Sequence, residues 1–219
     1  MNTHQALIIG LGQFGMSLAK ALSERGVEVL AVDIDKQLVQ AASAFVDEAA
    51  CFDATDEQAL ARAGPDRRDL CVSAIGEARE SSIIVTALLR QLGAPRIVAR
   101  SIDDLTERIL SLVGAHQIVN PERAFGERLA EHLMHAEIVE ELPLGSNLTV
   151  TELRPPDAIV GRSLAELRLL ERHDVNVVAV RRSSGEATVK PDLDRRLAAD
   201  DILVVVSKRE AVHDMLEAL

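Results

Sequence analysis

The stretch Ala6-Leu7-Ile8-Ile9-Gly10-Leu11-Gly12-Gln13-Phe14-Gly15 decides the fold of this chain. A short apolar run enters a G-x-G-x-x-G loop, and a helix-length segment follows from Gln13. In such a strand–loop–helix unit the first glycine permits a tight turn, the second lets backbone approach a pyrophosphate, and the third lets the helix pack against the sheet. The helix N-terminus offers free N–H groups and a positive dipole end to the anion. We therefore predict that the loop from Gly10 to Gly15 holds the phosphates of an adenine nucleotide.

An acidic residue follows the next predicted strand, Val27–Val32. Asp33 lies 18 residues beyond Gly15, near the separation of about 20 at which an acid accepts hydrogen bonds from the ribose hydroxyls of a dinucleotide. A carboxylate at that position also repels a 2′-phosphate, which disfavours NADP. The alternative interpretation is a plain turn in which Asp33 caps the following helix. Agreement among the glycines, the strand, the helix and the acid favours the nucleotide site.

Three further segments follow predicted strands and complete the predicted site. Asp53-Ala54-Thr55 follows the third strand and is equally compatible with an adenine contact and with helix capping. Ala74-Ile75-Gly76 follows the fourth strand and adds a small-residue loop beside the phosphates. Arg100 ends the fifth strand, where it either reaches a terminal phosphate or is a surface cation. Ligands of doubly wound sheets bind at the carboxyl ends of the strands, where all three segments lie.

Hydrophobic patterning divides the chain into two regions. Up to Ala136, short apolar runs alternate with helix-length segments, which predicts a parallel sheet with helices on both faces. Between Ile138 and Leu153, two apolar runs flank Gly145-Ser146-Asn147 as in a hairpin. We predict an α/β fold with a Rossmann-like doubly wound parallel sheet over residues 1–136, followed by a small α+β subdomain over residues 137–219. The strands predicted in the first region are Ala6–Ile9, Val27–Val32, Ala49–Phe52, Leu70–Ile75, Ile97–Arg100 and Ile118-Val119.

Capping residues predict several helix starts. Thr55-Asp56-Glu57-Gln58, Ser163-Leu164-Ala165-Glu166 and Ser207-Lys208-Arg209-Glu210 each place a hydroxyl three residues before a side chain that bonds back to the cap. Asn120-Pro121 is typical of an N-cap followed by the first helical residue. The helix after Ser163 is predicted to run to about Arg172.

Composition excludes several classes of function. The formal net charge of -11 disfavours nucleic acid and anionic lipid as partners. The apolar runs are shorter than the roughly 20 residues that span a bilayer, and the N-terminus has no basic stretch. We therefore expect a cytoplasmic protein without direct membrane insertion. The absence of tyrosine excludes a phenol as general acid, and the isolated Cys51 and Cys71 are expected to be reduced thiols.

The order of these segments resembles that of the RCK domain (regulator of potassium conductance) in Ktr/Trk-type potassium-uptake regulatory subunits. The most specific stretch is Gly114-Ala115-His116-Gln117-Ile118-Val119-Asn120-Pro121-Glu122-Arg123. The region from Ile138 to Leu219 resembles the C-terminal subdomain of the same family. The resemblance therefore spans nearly the whole chain, as a TrkA-N-like domain followed by a TrkA-C-like domain. The earlier segments that carry it are Gly10–Gly15, Ala31-Val32-Asp33-Ile34-Asp35, Asp53-Ala54-Thr55-Asp56 and Ala74-Ile75-Gly76.

The resemblance implies a regulatory function. Such subunits carry no pore, and their homodimers assemble into a cytosolic ring, usually an octamer, that docks on a membrane potassium-channel subunit. ATP or ADP, and in some relatives NAD(H), binds the N-terminal domain and shifts the ring between conformations that control potassium uptake. The resemblance assigns the ribose to Asp33, with Ile34 and Asp35 beside it, and the adenine to Asp53-Ala54-Thr55. It assigns the phosphates to the glycine loop and to Ala74–Gly76.

Two further ligands are implied by the resemblance alone. Glu122 lies where some relatives place a carboxylate that binds a divalent or monovalent cation at a dimer contact. The alternative is an ordinary first-turn glutamate, which the helix dipole favours. The C-terminal subdomain is similar to those that in some relatives bind cyclic di-AMP.

The helix after Pro121 has two faces of interest. His132 and His135 share one face, where solvated side chains are favoured over a metal site. Another face is too apolar to remain in water, and in this family it would dock against a neighbouring subunit. Its residues are Phe125, Leu129, Leu133 and Met134.

One departure from the family affects the choice of nucleotide. Many ATP-responsive relatives carry an arginine in the glycine loop, where this chain has Gln13. The neutral amide of Gln13 gives a γ-phosphate no charged partner, so a preference for ATP over ADP does not follow from the resemblance, and ADP or NAD(H) becomes more plausible. The alternative function is an NAD(H)-binding redox sensor or an oxidoreductase. After Ala136 the histidines are His173 and His213, neither in a catalytic pattern, and we predict no enzymatic activity.

Overall fold

The alternating apolar runs of the first region form a parallel sheet in the computed structural model, which describes residues 4–182 and 187–219. Its strands are β1 (Gln5–Ile9), β2 (Glu28–Asp33), β3 (Glu48–Cys51), β4 (Leu70–Ser73), β5 (Ile97–Arg100) and β6 (Gln117–Val119). Their order is β3-β2-β1-β4-β5-β6, so the chain winds outward from β1 in both directions. The predicted doubly wound sheet is confirmed, and its switch point lies between β1 and β4.

Helices cover both faces of this sheet. They are α1 (Gln13–Ser23), α2 (Lys36–Ala42), α3 (Glu57–Arg62), α4 (Arg79–Gln91) and α5 (Asp104–Leu112). Helix α6 (Pro121–Met134) follows β6. In β1, Leu7 and Ile9 belong to one buried apolar cluster, whereas Ala6 and Ile8 belong to another. Successive side chains of a strand point to opposite faces, so β1 is buried on both sides, as expected of a central parallel strand.

The second region folds around an antiparallel sheet, as predicted for an α+β subdomain. Its strands, in the order β10-β9-β11-β8-β7, pair with antiparallel neighbours. Leu203 and Val205 of the sheet and Val212 and Met215 of the last helix are fully buried in one cluster. The elements are β7 (Ile138–Gly145), β8 (Leu148–Leu153), α7 (Leu164–Leu167), α8 (Leu169–His173), β9 (Asn176–Arg181), β10 (Ala187–Val189), β11 (Ile202–Lys208) and α9 (Arg209–Ala218).

The chain divides into two structural units within helix α6. The first unit ends at Ala124 and the second begins at Phe125. The domain boundary predicted at residues 136/137 follows the end of this helix and stays a prediction. Among the described residues, none of the helices has both the length and the apolar character that crossing a membrane requires.

Several predicted helix starts and the hairpin are confirmed. Asn120 Oδ1 accepts the N–H of Arg123 at 2.9 Å, so Asn120 caps α6. Ser163 and Glu166 form both bonds of a capping box at the start of α7. The hairpin joins β7 to β8 through Ser146 and Asn147, which both have positive φ angles.

Two predicted caps and one predicted helix are wrong. Asp56, not Thr55, caps α3, because Thr55 is hydrogen-bonded to Asp53 and Asp56 Oδ1 accepts the first-turn N–H groups instead. Ser207 remains in β11, and α9 starts after Lys208 without a side-chain cap. The helix predicted to run to Arg172 is broken at Arg168, whose φ of 49° is left-handed.

Candidate nucleotide-binding site

The glycine loop between β1 and α1 is held by close backbone packing. Gly10 has a φ of +92°, which favours glycine, and its N–H donates to the Val32 carbonyl at 2.8 Å. A Cβ on Gly15 would overlap the carbonyl oxygen of Gly10 and lie 3.1 Å from the Ala74 Cβ. A Cβ on Gly12 would meet nothing within 4 Å. The first and third glycines therefore shape the loop, whereas the second leaves its outer surface open.

The first turn of α1 presents backbone donors beside the loop. Gly12 is the N-cap and has no side chain with which to cap these groups. The first bond within the helix runs from the N–H of Met16 to the Gly12 carbonyl at 2.9 Å. The N–H groups of the preceding residues, Gln13 to Gly15, therefore have no partner inside the helix, and they lie at its positive dipole end. This arrangement can bind a phosphate group.

Asp33, at the end of β2, connects two loops through its carboxylate. Its Oδ2 accepts the N–H of Leu11 at 2.6 Å, and its Oδ1 accepts the N–H of Asp35 at 2.8 Å. The carboxylate of Asp35 in turn caps α2 by accepting the N–H of Gln37 at 2.7 Å. Ile34 is 70% exposed. Asp33 is thus half-buried and fixed, with lone pairs left to accept a ribose hydroxyl.

The turn after β3 is closed by a second carboxylate. Asp53 Oδ1 accepts both the N–H of Thr55 at 2.9 Å and its hydroxyl at 2.7 Å. These two bonds hold the pKa of Asp53 below its ordinary value of 3.8, so the side chain is charged at neutral pH. Ala54 between them is buried. The turn therefore exposes backbone groups and the fixed Asp53 carboxylate at the position where we predicted contact with the edge of the adenine ring.

Arg100, at the end of β5, lies against three predicted site residues. Its Cζ is 5.8 Å from the centre of the Phe14 ring, within cation–π range. A Cβ on Gly76 would lie only 2.7 Å from the same Cζ, so the glycine leaves room for the guanidinium. The Nη2 group of Arg100 forms an ion pair with Glu122, in the first turn of α6. Arg100 is therefore held from both sides at this edge of the site.

These elements border a half-open cavity of about 960 Å³ at the carboxyl ends of the parallel strands. That volume lies within the range of small-molecule and cofactor pockets. Three predicted residues do not line it: Phe14 contacts Arg100, Gly15 packs behind the loop, and Asp35 caps α2. The predicted residues that do line it are Gly10, Gly12, Gln13, Asp33, Ile34, Asp53, Ala54, Thr55, Ala74, Ile75, Gly76 and Arg100.

The cavity also includes side chains that were not predicted. Met16, on α1, lies one helical turn after Gly12, so the period of the helix could have placed it on the same face. Leu38 and Phe52 supply apolar wall, and Ser81 and Glu77 lie beyond the end of β4. Phe52 and Glu77 directly adjoin the predicted segments Asp53–Thr55 and Ala74–Gly76, so their position in the sequence could have indicated them. The sequence carries no comparable signal for Leu38 and Ser81, because their contact with the cavity depends on how α2 and α4 pack.

Glu122, the predicted cation ligand, is engaged by a protein cation. Its carboxylate pairs with Arg100 and its side chain is 61% exposed. Within residues 4–182 and 187–219, no group of three or more His, Cys, Asp and Glu side chains is placed to hold a metal ion. His132 and His135 contact Ile138 and His213, respectively. A cation at Glu122 stays a prediction.

Comparisons with known proteins agree with this organisation. A family model described as the TrkA-N domain matches residues 6–121, and one described as the TrkA-C domain matches residues 149–219. The chain is 35% identical over 199 residues to Ktr system potassium uptake protein C of Bacillus subtilis (strain 168), and the match covers 91% of this chain and 90% of the relative. It is 32% identical over 215 residues to Ktr system potassium uptake protein A of Vibrio alginolyticus, covering 98% and 97%.

Solved structures show the same fold at lower identity. The GsuK channel matches with a TM-score of 0.68 and 17% identity, over 98% of this chain and 39% of the channel chain. A structure of the GsuK channel bound to NAD matches with a TM-score of 0.63 and 16% identity, over 96% and 38%. This chain thus spans about two fifths of the channel chains it resembles. The family models and the two Ktr relatives, which match along most of their length, show that this chain belongs to the TrkA-N/TrkA-C family of Ktr potassium uptake proteins.

Proposed function

We propose that this chain is the nucleotide-binding regulatory subunit of a potassium uptake system, acting on a separate membrane subunit that carries the pore. The observation that carries the proposal is the cavity itself, in which Asp33 joins the glycine loop to the end of β2 beside the open first turn of α1. The names of the two Ktr relatives, which extend over more than nine tenths of this chain, support the connection to potassium uptake.

The ligand that fits this cavity is an adenine nucleotide. Asp33 would accept the ribose hydroxyls, the Asp53–Thr55 turn would meet the adenine, and the glycine loop would hold the phosphates. Gln13 lines the cavity as a neutral donor, so ADP or NAD(H) is favoured over ATP. The GsuK channel is a structural neighbour that binds NAD, which supports testing both classes of ligand.

Regulation would operate by a shift between two conformations of an assembly. A ligand changes such an equilibrium only through its differential affinity for the two states. The four apolar residues of α6 support assembly from homodimers into a ring: Leu133 and Met134 are 73% and 78% exposed, and Phe125 and Leu129 are also exposed. We expect the ring to be cytoplasmic and to dock on the membrane through its partner.

We infer binding rather than catalysis at this cavity. Both oxygens of Asp33 already accept backbone N–H groups, and the pKa of Asp53 is lowered by its bonds to Thr55. The Asp53 carboxylate therefore remains charged at neutral pH and is a poor proton donor, and the Asp33 carboxylate is engaged by two backbone N–H groups. Robust turnover in a nicotinamide oxidation assay would favour the oxidoreductase alternative. Cation binding at Glu122 and cyclic di-AMP binding by the second unit stay predictions.

Calorimetric titration with ATP, ADP, NAD, NADH and cyclic di-AMP tests the binding step. We expect ADP or NAD(H) to bind the wild type and to lose at least about tenfold in affinity in Asp33→Ala, since charge-assisted hydrogen bonds are lost. Asp47→Ala is the matched control, because Asp47 Oδ2 also accepts a strand N–H, that of Val29 at 2.9 Å, but lies outside the cavity lining. Equal loss in both variants, or no binding by the wild type, would refute the site.

Potassium flux tests the regulatory step. Cells that express a Ktr-type membrane subunit should take up potassium at a different rate when this chain is co-expressed. Asp33→Ala should remove that difference while Asp47→Ala retains it. Uptake that is the same with and without the chain would contradict the regulatory function.

A further inference from the structure

We propose that Arg100 couples occupancy of the cavity to helix α6, because an anionic group of the bound nucleotide takes its guanidinium away from Glu122. The inference rests on the proposed nucleotide-binding function and adds the regulation of that site. Arg100 lines the cavity, whereas Glu122 lies outside the lining and belongs to α6. The pair therefore connects the ligand site to a helix that runs from the first unit into the second.

The backbone and the apolar part of the Arg100 side chain are held in place by the fold. The residue ends β5, and only 18% of its side chain is exposed. Phe14, in the first turn of α1, lies 5.8 Å from the guanidinium carbon, and Gly76 leaves room for it at the end of β4. The charged group is thus directed toward the same crevice as the glycine loop, where the phosphates are expected.

Arg100 also has an unpaired hydrogen-bond donor. Its Nε is buried and has no hydrogen-bond partner among the described residues, whereas Nη2 is bonded to Glu122. A buried donor without an acceptor is unfavourable. A phosphate group of a nucleotide can accept hydrogen bonds from two N–H groups of one guanidinium at once. Glu122 accepts only one hydrogen bond from Arg100, that of Nη2 to its Oε1. The ligand therefore satisfies a donor that the present ion pair leaves unpaired.

Glu122 is a weak competitor for the guanidinium. Its side chain is 61% exposed, and exposed ion pairs contribute little to stability because water and salt screen them. A diphosphate carries more negative charge than one carboxylate, so its attraction for the guanidinium is stronger. Exchange in favour of the ligand is thus the expected direction.

Loss of the Arg100–Glu122 ion pair would remove one of the contacts that hold the first turn of α6 to the first unit. Its first turn is held by Arg100 through Glu122, by the Asn120 cap, and by Arg123, which pairs with Asp104 and Glu107 of α5. A bound anion removes the first of these and leaves the cap and the α5 contacts intact. The start of α6 therefore becomes less protected while the helix persists.

A double-mutant cycle measured by calorimetric titration with ADP and with NADH tests the exchange. Glu122→Gln removes the competitor and should tighten binding about 2- to 5-fold, the range expected for a partly exposed ion pair. Arg100→Gln should weaken binding by about tenfold or more. In the double variant, Glu122→Gln should have no further effect, because it acts only through Arg100. Asp104→Asn, which weakens the other ion pair at the start of α6, is the matched control and should leave affinity unchanged.

Hydrogen exchange of the α6 amides supplies a second readout. Bound ADP or NADH should speed exchange in the first turns of wild-type α6, and unliganded Glu122→Gln should already exchange at that faster rate. If the wild type binds nucleotide but Glu122→Gln neither tightens binding nor speeds exchange, the coupling is refuted and the binding site stands. If the wild type binds neither ADP nor NADH, the proposed function and this inference both fail.

Discussion

The backbone N–H of Leu11 donates to Asp33 Oδ2 at 2.6 Å, joining the glycine loop after β1 to the end of the neighbouring strand β2. The other carboxylate oxygen accepts the N–H of Asp35 at 2.8 Å. One side chain therefore fixes two of the loops that border the cavity. Asp33, which we expect to bind the ribose, therefore also stabilises the loops around it. Stability measurements and ligand titrations of Asp33 variants can measure these two contributions separately.

Asp33→Asn should lower the stability of the first unit. The neutral amide offers one acceptor oxygen in place of two, so one of the two backbone N–H groups loses its acceptor and the other keeps only an uncharged one. We expect the free energy of unfolding to fall by about 1–3 kcal/mol, the usual cost of losing a hydrogen bond to a charged group. Urea unfolding followed by circular dichroism measures this difference. A midpoint equal to that of the wild type would show that the two bonds contribute nothing to the fold.

Gly15→Ala and Gly12→Ala should separate fold from ligand binding. A Cβ on Gly15 overlaps the Gly10 carbonyl, which is backbone and cannot move aside, so we expect a loss of about 1–3 kcal/mol in stability. A Cβ on Gly12 meets open space and should leave stability near that of the wild type, but it would obstruct the approach of phosphates. Thermal melts and nucleotide titrations of both variants test this; the reverse ranking in stability would contradict it.

The two cysteines should differ sharply in reactivity. Cys71 is buried in β4, and this burial raises the pKa of its thiol from 9.0 to about 12, whereas Cys51 is exposed. At pH 8 a thiol-specific reagent should label Cys51 in seconds to minutes and Cys71 only after unfolding. Mass spectrometry of labelled peptides identifies the site.

The raised pKa of Cys71 has a consequence for stability at high pH. A pKa that is higher in the folded state stabilises the fold fully below the unfolded value of 9.0, and this contribution is lost as pH rises toward 12. The loss approaches about 1.4 kcal/mol per pH unit in that window. Cys71→Ala should lack this part of the alkaline destabilisation, and Cys51→Ala is the control that should retain it.

Thr55→Val should raise the pKa of Asp53 part of the way to its ordinary value. The variant removes the hydroxyl donor and keeps the backbone N–H, which is the larger cause of the lowered pKa. In the wild type, this group favours the fold above pH 3.8, and the contribution is lost as pH falls through the lower folded pKa. Carboxyl NMR titration should show the shift. An unchanged Asp53 pKa would mean that the hydroxyl does not bond to it in solution.

Leu129→Asp should reduce the mass of the assembly. A charge in the exposed apolar stripe of α6 would have to be buried in an interface between copies, which is unfavourable without a partner. Leu170→Asp, at a comparably exposed leucine of α8, is the matched control and should leave the mass unchanged. Light scattering after size exclusion measures both. If Leu129→Asp assembles as the wild type does, the stripe is not an interface.

The sequence alone was sufficient for features that depend on local chemistry. The glycine loop, Asp33 and the strands around them were predicted because the glycine spacing and the apolar runs are patterns formed by residues close together in sequence. The Asn120 cap and the Ser163 capping box were predicted for the same reason. The caps at Thr55 and Ser207 were predicted wrongly, because Asp53 holds Thr55 and β11 extends through Ser207.

The sequence therefore determined the family, the doubly wound sheet and the position of the glycine loop, since these follow from short-range patterns and their order along the chain. Only the tertiary structure decided that Arg100 meets Phe14, Gly76 and Glu122, residues that come from four separate elements and loops. The physical reason is that parallel strands bring distant segments to one edge of the sheet, whereas the partner that each long side chain chooses depends on packing and competing charges.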